Sequence, residues 1–174
     1  LSCPIGFKNG TDGNLQITFD AIKSASGEHH FLSVTKEGNS AIFSTSGNPY
    51  CHVILRGGSN KINYDSKSID DVSARLDKAN LPQQIIVDCS HANSMKDHKK
   101  QMLVVENLCE QLRTGEKRIK GLMIESNLIE GNQNINDSNL VYGKSVTDAC
   151  IGWEDTEKAL YLLSEAVKQR KINA

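Results

Sequence analysis

Short apolar segments alternate along this chain with longer segments of helical periodicity, and this alternation limits the possible folds more than any other feature. The segments CHVIL at 51–55, IIVD at 85–88 and LMIE at 122–125 are apolar and rich in β-formers. Such runs are typical of strands buried on both faces of a parallel sheet. The sequence therefore predicts an α/β protein with a parallel sheet.

Four segments with helical spacing of apolar residues lie between and after these strands. Helix-ending residues such as Gly, Asn and Pro mark their boundaries. We predict helices at about 14–26, from an N-cap at Ser68 to just before Asn80, at about 96–113, and from just after Asp155. Trp153 is predicted to be a packing anchor at the start of the last helix.

The segments 31–34 and 41–44 flank a turn that contains Gly38 and Asn39. This pattern predicts a β-hairpin inserted into the β/α rhythm. A doubly wound sheet and a (β/α)8 barrel both fit the remaining alternation. A barrel usually needs about 250 residues, and a chain of 174 residues offers only about four β/α units, so half a barrel is one architecture that the sequence allows.

Composition argues against several classes of partner. The net charge of −1 gives no general basic surface, so we expect neither nucleic acid nor an anionic membrane as a partner. The sequence contains no apolar run of the ~18 residues that a membrane helix needs. Its five cysteines follow no disulfide or CxxC pattern, which favours reduced thiols and a cytoplasmic location.

Polar residues follow the predicted strands where each of them ends. Lys8 and Arg56 stand beside glycines, and this pairing of a cation with an accessible backbone suits phosphate or carboxylate. His91, Glu125 and Asp148 form a nitrogen and oxygen set that suits a divalent metal. Because the carboxyl ends of parallel strands meet at one edge, we expect these five side chains to face one pocket.

Simpler interpretations apply to each residue taken alone. A strand-end Lys or Arg is most often a solvated charge, and a single His is more often structural than a ligand. Cys89 beside His91 could suggest a nucleophile and base, but no orienting motif follows. Gly143-Lys144-Ser145 lacks the first glycine of a P-loop, since position 138 is Ser. We interpret the other histidines as structural: His29, His30, His52 and His98.

The segments that carry the five candidate residues resemble the type I 3-deoxy-D-arabino-heptulosonate 7-phosphate (DAHP) synthases. The matching segments are LSCPIGFKNGTDG (1–13), FLSVTK (31–36), CHVILRGG (51–58), DCSHANS (88–94), ESNLIEGNQ (125–133) and YGKSVTDACIGWED (142–155). The resemblance implies that residues 1–174 are strands five to eight of a (β/α)8 TIM barrel, the carboxyl-terminal part of one domain. The amino-terminal half is then absent, and we expect the isolated fragment to be inactive.

The resemblance also implies an activity, the first step of the shikimate pathway. Phosphoenolpyruvate and erythrose 4-phosphate give the seven-carbon product and phosphate. Lys8 and Arg56 would hold phosphoenolpyruvate, and His91, Glu125 and Asp148 would bind a divalent metal such as Mn, Fe, Co or Zn. Asp148 would also lie near the sugar phosphate. The family's fourth metal ligand, a Cys on the first strand, is outside this chain and is not Cys3.

We infer a mechanism in which C3 of phosphoenolpyruvate attacks the aldehyde, which the metal polarises. Water then attacks C2, and phosphate leaves by C–O cleavage. In the family, full-length enzymes form homo-oligomers and are inhibited by aromatic amino acids. The resemblance places the effector near Leu1, Ser2, Phe31, Ser33 and Phe43, and Ser33 favours phenylalanine over tyrosine.

Two competing functions remain open on sequence grounds. A half-barrel without catalytic activity could bind metal or an effector and regulate a partner, although such a protein would not need every pocket residue. An aldolase would use a Schiff-base lysine, for which Lys8 is a candidate. In that case the set of His91, Glu125 and Asp148 would lack a role.

Overall fold

The computed structural model of the chain describes residues 3–59 and 61–172, with side chains up to residue 170. Its strands are β1 (Ile5–Lys8), β2 (His29–Val34), β3 (Ser40–Thr45), β4 (Cys51–Leu55), β5 (Ile85–Asp88), β6 (Ile119–Met123), β7 (Ile129–Asn132) and β8 (Lys144–Ser145). Its helices are α1 (Gln16–Ser26), α2 (Ser66–Lys78), α3 (Gln101–Arg113), which follows a 3₁₀ turn at His98–Lys100, and α4 (Trp153–Ile172).

Four strands form a parallel sheet in the order β1-β4-β5-β6. Each strand pairs with its neighbour in parallel register, for example Phe7 with Val53 and Leu55 with Val87. Helices connect β4 to β5 and β5 to β6, as parallel strands require. The prediction of an α/β protein with a parallel sheet is therefore confirmed.

The hairpin is also confirmed and forms a sheet of its own. Strands β2 and β3 pair in antiparallel register from His29 with Thr45 to Val34 with Ser40. Gly38 takes a φ of +85° in the turn between them, a conformation that glycine adopts without steric cost. The sequence analysis did not foresee β7 and β8, which form a second small sheet.

The helices cover one face of the four-stranded sheet. Alternate strand residues such as Val53, Leu55, Ile85 and Val87 have no exposed surface, and they join one apolar cluster with the helices. The helix residues in this cluster include Phe19, Ile22, Ile69, Leu76, Val105, Leu108, Leu112, Ala159 and Ala166. Burying each large aliphatic side chain stabilises the fold by about 1.5–3 kcal/mol.

The opposite face of the sheet is only partly buried. Here His52 and Ile86 are half-buried, whereas Ile54 and Asp88 are buried, so the expectation of strands buried on both faces is met only in part. A Cβ on Gly6 would collide with the side chains of His52 and Ile54, which lie over it. Lys8 and Asp88 continue the alternation of this face to its carboxyl edge.

Two predicted boundaries near the carboxyl edge differ from the structure. Strand β6 ends at Met123, so Glu125 follows the strand by two residues instead of ending it. Helix α3 begins at Gln101 and not at residue 96. The segment before it is a tight turn in which His91, Met95 and Lys96 all have positive φ angles, a conformation that a helix excludes.

Two predicted helix starts also differ. The N-cap of α2 is Asp65 and not Ser68, because the Asp65 carboxylate accepts hydrogen bonds from the Ser68 backbone N–H at 3.1 Å and hydroxyl at 2.7 Å. Helix α4 begins at Trp153, two residues before Asp155. Trp153 is 54% exposed, so it is not the packing anchor that the sequence predicted.

None of the described helices combines the length and apolar character that crossing a bilayer would require.

Candidate functional site

The polar residues that follow three of the parallel strands, β4, β5 and β6, meet in one cavity at the carboxyl edge of the sheet. The cavity has a volume of about 310 Å³ and is lined by Arg56, Ser90, His91, Lys96, His98, Glu125, Asp148 and Ala149. A larger depression of about 430 Å³ surrounds Glu116 and Arg118. Those two side chains already pair with each other, so the smaller cavity is the better candidate for chemistry.

His91 stands in the turn that follows β5. Its backbone has a φ of +54°, a strained conformation for a residue with a side chain. The His91 carbonyl accepts a hydrogen bond from the Lys96 N–H at 2.7 Å, which closes the turn. Strained residues held by their surroundings concentrate at functional sites, and here the imidazole of His91 lies beside Glu125, with Nε2 3.8 Å from Oε1.

Glu125 is held on both its main chain and its side chain. The fully buried Gln101 accepts from the Glu125 N–H at 2.8 Å and donates to the Glu125 carbonyl at 3.1 Å. The Ser90 hydroxyl donates to Oε2 of the carboxylate at 2.5 Å. Oε1 is therefore the oxygen turned to His91, whose Nε2 is 3.8 Å away.

His91, Glu125 and Asp148 each offer a ligand atom to one region, and these atoms all lie within 4.8 Å of one another. Ligands that share one ion at ~2.1 Å lie roughly 3–4 Å apart, so small side-chain movements would bring all three to a common ion. One imidazole nitrogen and two carboxylates suit a divalent transition metal. The three residues converge as the sequence predicted, and their donor set fits a metal.

Lys8 does not line the cavity directly. Its ammonium Nζ lies 2.6 Å from Oδ2 of Asp88, and Nδ1 of His91 lies 2.9 Å from the same oxygen. Asp88 is fully buried, so a single carboxylate links the predicted anion anchor to the predicted metal ligand.

Arg56 stands immediately after β4 on a backbone held by three buried or half-buried asparagines. Oδ1 of Asn9 accepts from the Arg56 N–H at 2.9 Å, and Oδ1 of Asn63 accepts from the Gly57 N–H at 2.8 Å. Asn93 donates to the carbonyl of Leu55 at 3.2 Å. The three amides thus fix the backbone on both sides of Arg56.

Glycine is required beside Arg56 for steric reasons. Gly57 has a φ of +69°, and a Cβ there would press on the backbone N of Asn93 at 2.8 Å. A Cβ on Gly58 would collide with the backbone of Gly13. The loops after β1, β4 and β5 therefore pack closely at this edge of the sheet.

His98 was predicted to be a structural residue in a helix. It lies in the 3₁₀ turn before α3 and lines the cavity. Its Nε2 is 2.9 Å from Glu130 Oε1, and Lys99 Nζ is 3.0 Å from the same oxygen. The hydrogen bonds from His98 and then Lys99 lower the pKa of Glu130, so a carboxylate is maintained beside the cavity.

The two cysteines near the site are poor nucleophiles. Cys89 is fully buried, and burial raises the pKa of its thiol far above the ordinary value. Burial also raises the pKa of Cys150. This agrees with the sequence-based rejection of a Cys89 and His91 nucleophilic pair, because the reactive thiolate is disfavoured.

Comparison with known proteins decides the family. A model of the DAHP synthetase I family matches residues 1–161. The chain belongs to this family. The Phe-sensitive phospho-2-dehydro-3-deoxyheptonate aldolase of Escherichia coli K12 is 56% identical over 172 residues, which are 98% of this chain and 49% of that protein.

Other family members give the same extent of similarity. The Trp-sensitive aldolase of Enterobacter agglomerans is 52% identical over 98% of this chain and 49% of its own length. A solved aldolase structure from Francisella tularensis SCHU S4 superposes with a TM-score of 0.90 at 52% identity, over 98% of this chain and 50% of that one. The chain therefore spans about half the length of the relatives it matches.

The residues predicted for the family's effector site are only partly described. Leu1 and Ser2 lie outside the described residues. Phe31 and Phe43 are register partners whose rings stack with centroids 6.0 Å apart. Ser33 is two residues along the same strand and faces Ala41, so Phe31, Phe43 and Ser33 share one face of the hairpin.

Sequence reasoning missed several residues of the site. Ser90, Lys96, His98 and Ala149 line the cavity, while Asp88 and Gln101 support it from buried positions. Asp88 was noted only as the end of a strand. A signal was present for it, since a carboxylate at the buried end of an apolar strand needs a charged partner.

Proposed function

We propose that this chain is the carboxyl-terminal half of a (β/α)8 barrel enzyme that condenses phosphoenolpyruvate with erythrose 4-phosphate, giving DAHP and phosphate. The observation that carries the proposal is the shared cavity, in which Arg56 faces the cluster of His91, Glu125 and Asp148. A cation that suits the anionic substrate phosphoenolpyruvate thus lies beside a set of side chains that suits a metal ion. The relatives from Escherichia coli and Enterobacter agglomerans are named as aldolases of this product.

Two observations support half a barrel. The four parallel strands run in chain order β1-β4-β5-β6 with helices on one face. The Francisella tularensis structure is matched over 50% of its chain. Strands β1, β4, β5 and β6 would then be strands five to eight of the barrel, and the partly buried face with His52 and Ile86 would face its interior.

Arg56 and Lys8 would hold the donor. The Arg56 guanidinium presents a planar fork that matches phosphate or carboxylate, and its backbone is fixed by Asn9 and Asn63. Lys8 supplies a point charge, and the carboxylate of Asp88 lies between its ammonium and the imidazole of His91. Two cations at the ends of neighbouring strands offset the repulsion between two phosphorylated substrates.

The acceptor would lie against the cluster of His91, Glu125 and Asp148. A divalent metal bound there would polarise the aldehyde of the acceptor. With the donor held by Arg56, C3 of phosphoenolpyruvate forms the new bond to the aldehyde carbon, whose oxygen takes up a proton. Water adds to C2, the C2–O bond breaks, and phosphate leaves with the electron pair.

The hairpin would carry the regulatory site. Phe31, Phe43 and Ser33 share one hairpin face, and the relatives include Phe-sensitive and Trp-sensitive enzymes. We assign an aromatic amino acid to this face, with phenylalanine favoured by Ser33. The full-length enzyme is expected to be a homo-oligomer.

The test uses the protein at its full encoded length with Mn²⁺, phosphoenolpyruvate and erythrose 4-phosphate. Release of phosphate and formation of the seven-carbon product are measured together. We expect turnover that a chelator abolishes and added Mn²⁺ restores. The variant His91→Asn should lose Mn²⁺ binding and turnover, whereas His29→Asn, at the base of the hairpin, should retain both.

Two results would contradict the proposal. One is a folded full-length protein that binds Mn²⁺ but leaves phosphoenolpyruvate unconsumed when both substrates are present. The other is a His91→Asn variant with Mn²⁺ affinity and turnover equal to those of His29→Asn.

A further inference from the structure

The carboxylate of Asp88 occupies a position that the proposed chemistry does not use directly. Asp88 is the last residue of β5 and is fully buried. One of its carboxylate oxygens lies close to two basic side chains. Oδ2 lies 2.6 Å from Lys8 Nζ and 2.9 Å from His91 Nδ1. Its other oxygen, Oδ1, accepts the Ser90 N–H at 2.9 Å, which fixes the carboxylate in place.

We propose that Asp88 is a positioning residue that couples the donor anchor Lys8 to the metal ligand His91. The inference rests on the proposed function, because it takes Lys8 as the donor anchor and His91 as a ligand. It assigns Asp88 no contact with either substrate. Its action is exerted through the two side chains that share its Oδ2 atom.

The first half of the argument concerns the imidazole. Nδ1 of His91 is buried, and the angle to Asp88 does not complete a hydrogen bond, so this atom has no hydrogen-bond partner among the described residues. Asp88 Oδ2, at 2.9 Å, is the acceptor within reach. A carboxylate there favours the tautomer with the proton on Nδ1 and leaves the Nε2 lone pair directed at the metal cluster.

The second half concerns the ammonium of Lys8. A buried carboxylate is costly unless it is paired, and Lys8 supplies the charge that Asp88 needs when no anion is bound. Lys8 comes from β1 and reaches past β4 to β5, since the strand order is β1-β4-β5-β6. Its position at the donor site is therefore fixed by Asp88 and not by its own strand.

Sharing one oxygen makes the two interactions dependent on each other. An anion that attracts the Lys8 ammonium draws it away from Oδ2 of Asp88. That oxygen then becomes a stronger hydrogen-bond acceptor for the Nδ1–H of His91. A stronger acceptor at Nδ1 makes Nε2 a better ligand. By linkage, a metal on His91 must then favour the anion at Lys8 by the same factor.

The experiment measures binding and needs no turnover. In the full-length protein, Mn²⁺ affinity is determined by calorimetry with and without phosphoenolpyruvate, and phosphoenolpyruvate affinity with and without Mn²⁺. We expect each ligand to tighten the other in the unmodified protein. In Asp88→Asn, we expect Mn²⁺ affinity to fall about 10–100-fold and the mutual tightening to disappear.

The matched control is Asp71→Asn, a change at an exposed carboxylate on α2, which should leave both affinities and their coupling unchanged. Lys8→Gln is the second variant, which decides the matter if Asp88→Asn does not fold. It touches no proposed metal ligand, yet it should tighten Mn²⁺ binding severalfold in the absence of phosphoenolpyruvate. Unchanged Mn²⁺ affinity in Lys8→Gln would overturn the coupling.

The outcomes separate this inference from the proposed function. An Asp88→Asn protein that loses thermal stability but keeps both affinities and their coupling would show a purely structural Asp88, with the proposed function intact. An unmodified protein that binds neither Mn²⁺ nor phosphoenolpyruvate would overturn both proposals.

Discussion

The buried amide of Gln101 makes two hydrogen bonds to the main chain of Glu125, accepting from its N–H at 2.8 Å and donating to its carbonyl at 3.1 Å. Strand β6 has already ended at Met123. The side chain of the first residue of α3 therefore binds the main chain beyond the end of β6, together with the Ile151 N–H, which donates to the Glu125 carbonyl at 3.0 Å. These hydrogen bonds hold Glu125 in place although it lies beyond the sheet.

This arrangement predicts that Gln101→Leu weakens metal binding. Loss of both hydrogen bonds leaves the Glu125 N–H without its acceptor and its carbonyl held by the Ile151 N–H at 3.0 Å, and we expect Mn²⁺ affinity in the full-length protein to fall at least about tenfold. Gln111→Leu is the matched control in the same helix, since Gln111 also donates to a backbone carbonyl, that of Tyr64. Calorimetric Mn²⁺ affinities that fall equally in the two variants would contradict a specific role for Gln101.

Arg56→Ala should weaken the use of phosphoenolpyruvate. Hydrogen bonds to a charged partner contribute about 1.5–3 kcal/mol, so we expect KM for phosphoenolpyruvate to rise by at least about tenfold. The comparison is Arg113→Ala, which removes a guanidinium paired with Glu110 on the surface of α3. Steady-state kinetics that show equal rises in KM for the two variants would refute the assignment of Arg56 to the donor.

Ser33→Gly should change the preference between aromatic inhibitors. Ser33 lies on the hairpin face of Phe31 and Phe43, and in the proposed effector site its side chain would occupy the space that the hydroxyl of tyrosine needs. One group of this size gives only ~1–3 kcal/mol of discrimination, so we expect a shift of about 10-fold or more towards tyrosine. The measurement is inhibition of the full-length enzyme by each amino acid. Stronger inhibition by tyrosine before mutation would end the hypothesis.

A pH-dependent contribution to stability is expected from Glu116. Its hydrogen bond from Arg118 lowers its pKa below the ordinary 4.5, against the opposing effect of burial. Because the folded-state pKa is lowered, the stabilisation is present above about pH 4.5 and is lost as the pH falls through the folded-state value. Glu116→Gln should cost about 1–2 kcal/mol of unfolding free energy at pH 7.

The same substitution should make progressively less difference as the pH falls below 4.5 and through the lowered pKa of Glu116. Urea unfolding of both proteins from pH 7 down to the lowest pH at which both stay folded provides the measurement. A difference in unfolding free energy that stays constant over this whole range would exclude an ionic role for Glu116.

The parts of the site that the sequence predicted correctly depend on local pattern and strand direction. Apolar runs located β4 and β5, and the rule that parallel strands share a carboxyl edge placed Arg56, His91 and Glu125 in one cavity. These inferences hold because burial fixes the face of each strand residue, and because helical crossovers between consecutive strands make those strands parallel. The roles of these residues remain predictions.

The parts that could not be predicted depend on contacts between distant polar residues. The sequence pattern predicts Gln101 to be an exposed polar residue of an amphipathic helix, yet its side chain is fully buried. The third helix was predicted to begin at residue 96, because helix propensity carries no information on the hydrogen bond from the Lys96 N–H to the His91 carbonyl, which closes a turn there. Likewise, no local pattern marks Asn9 and Asn63 as partners 54 residues apart.

The hairpin of β2 and β3 connects α1 to β4 and so joins the sheet at the amino ends of its strands, whereas the cavity lies at their carboxyl ends. The five residues of β4 separate the two by roughly 16 Å. Under the proposed function, selection on catalysis would act on one end of the sheet and selection on feedback control on the other. A lineage could then exchange its inhibitor by altering a hairpin face while inheriting the catalytic end unchanged, and the relatives with similar identity to this chain include Phe-sensitive and Trp-sensitive enzymes.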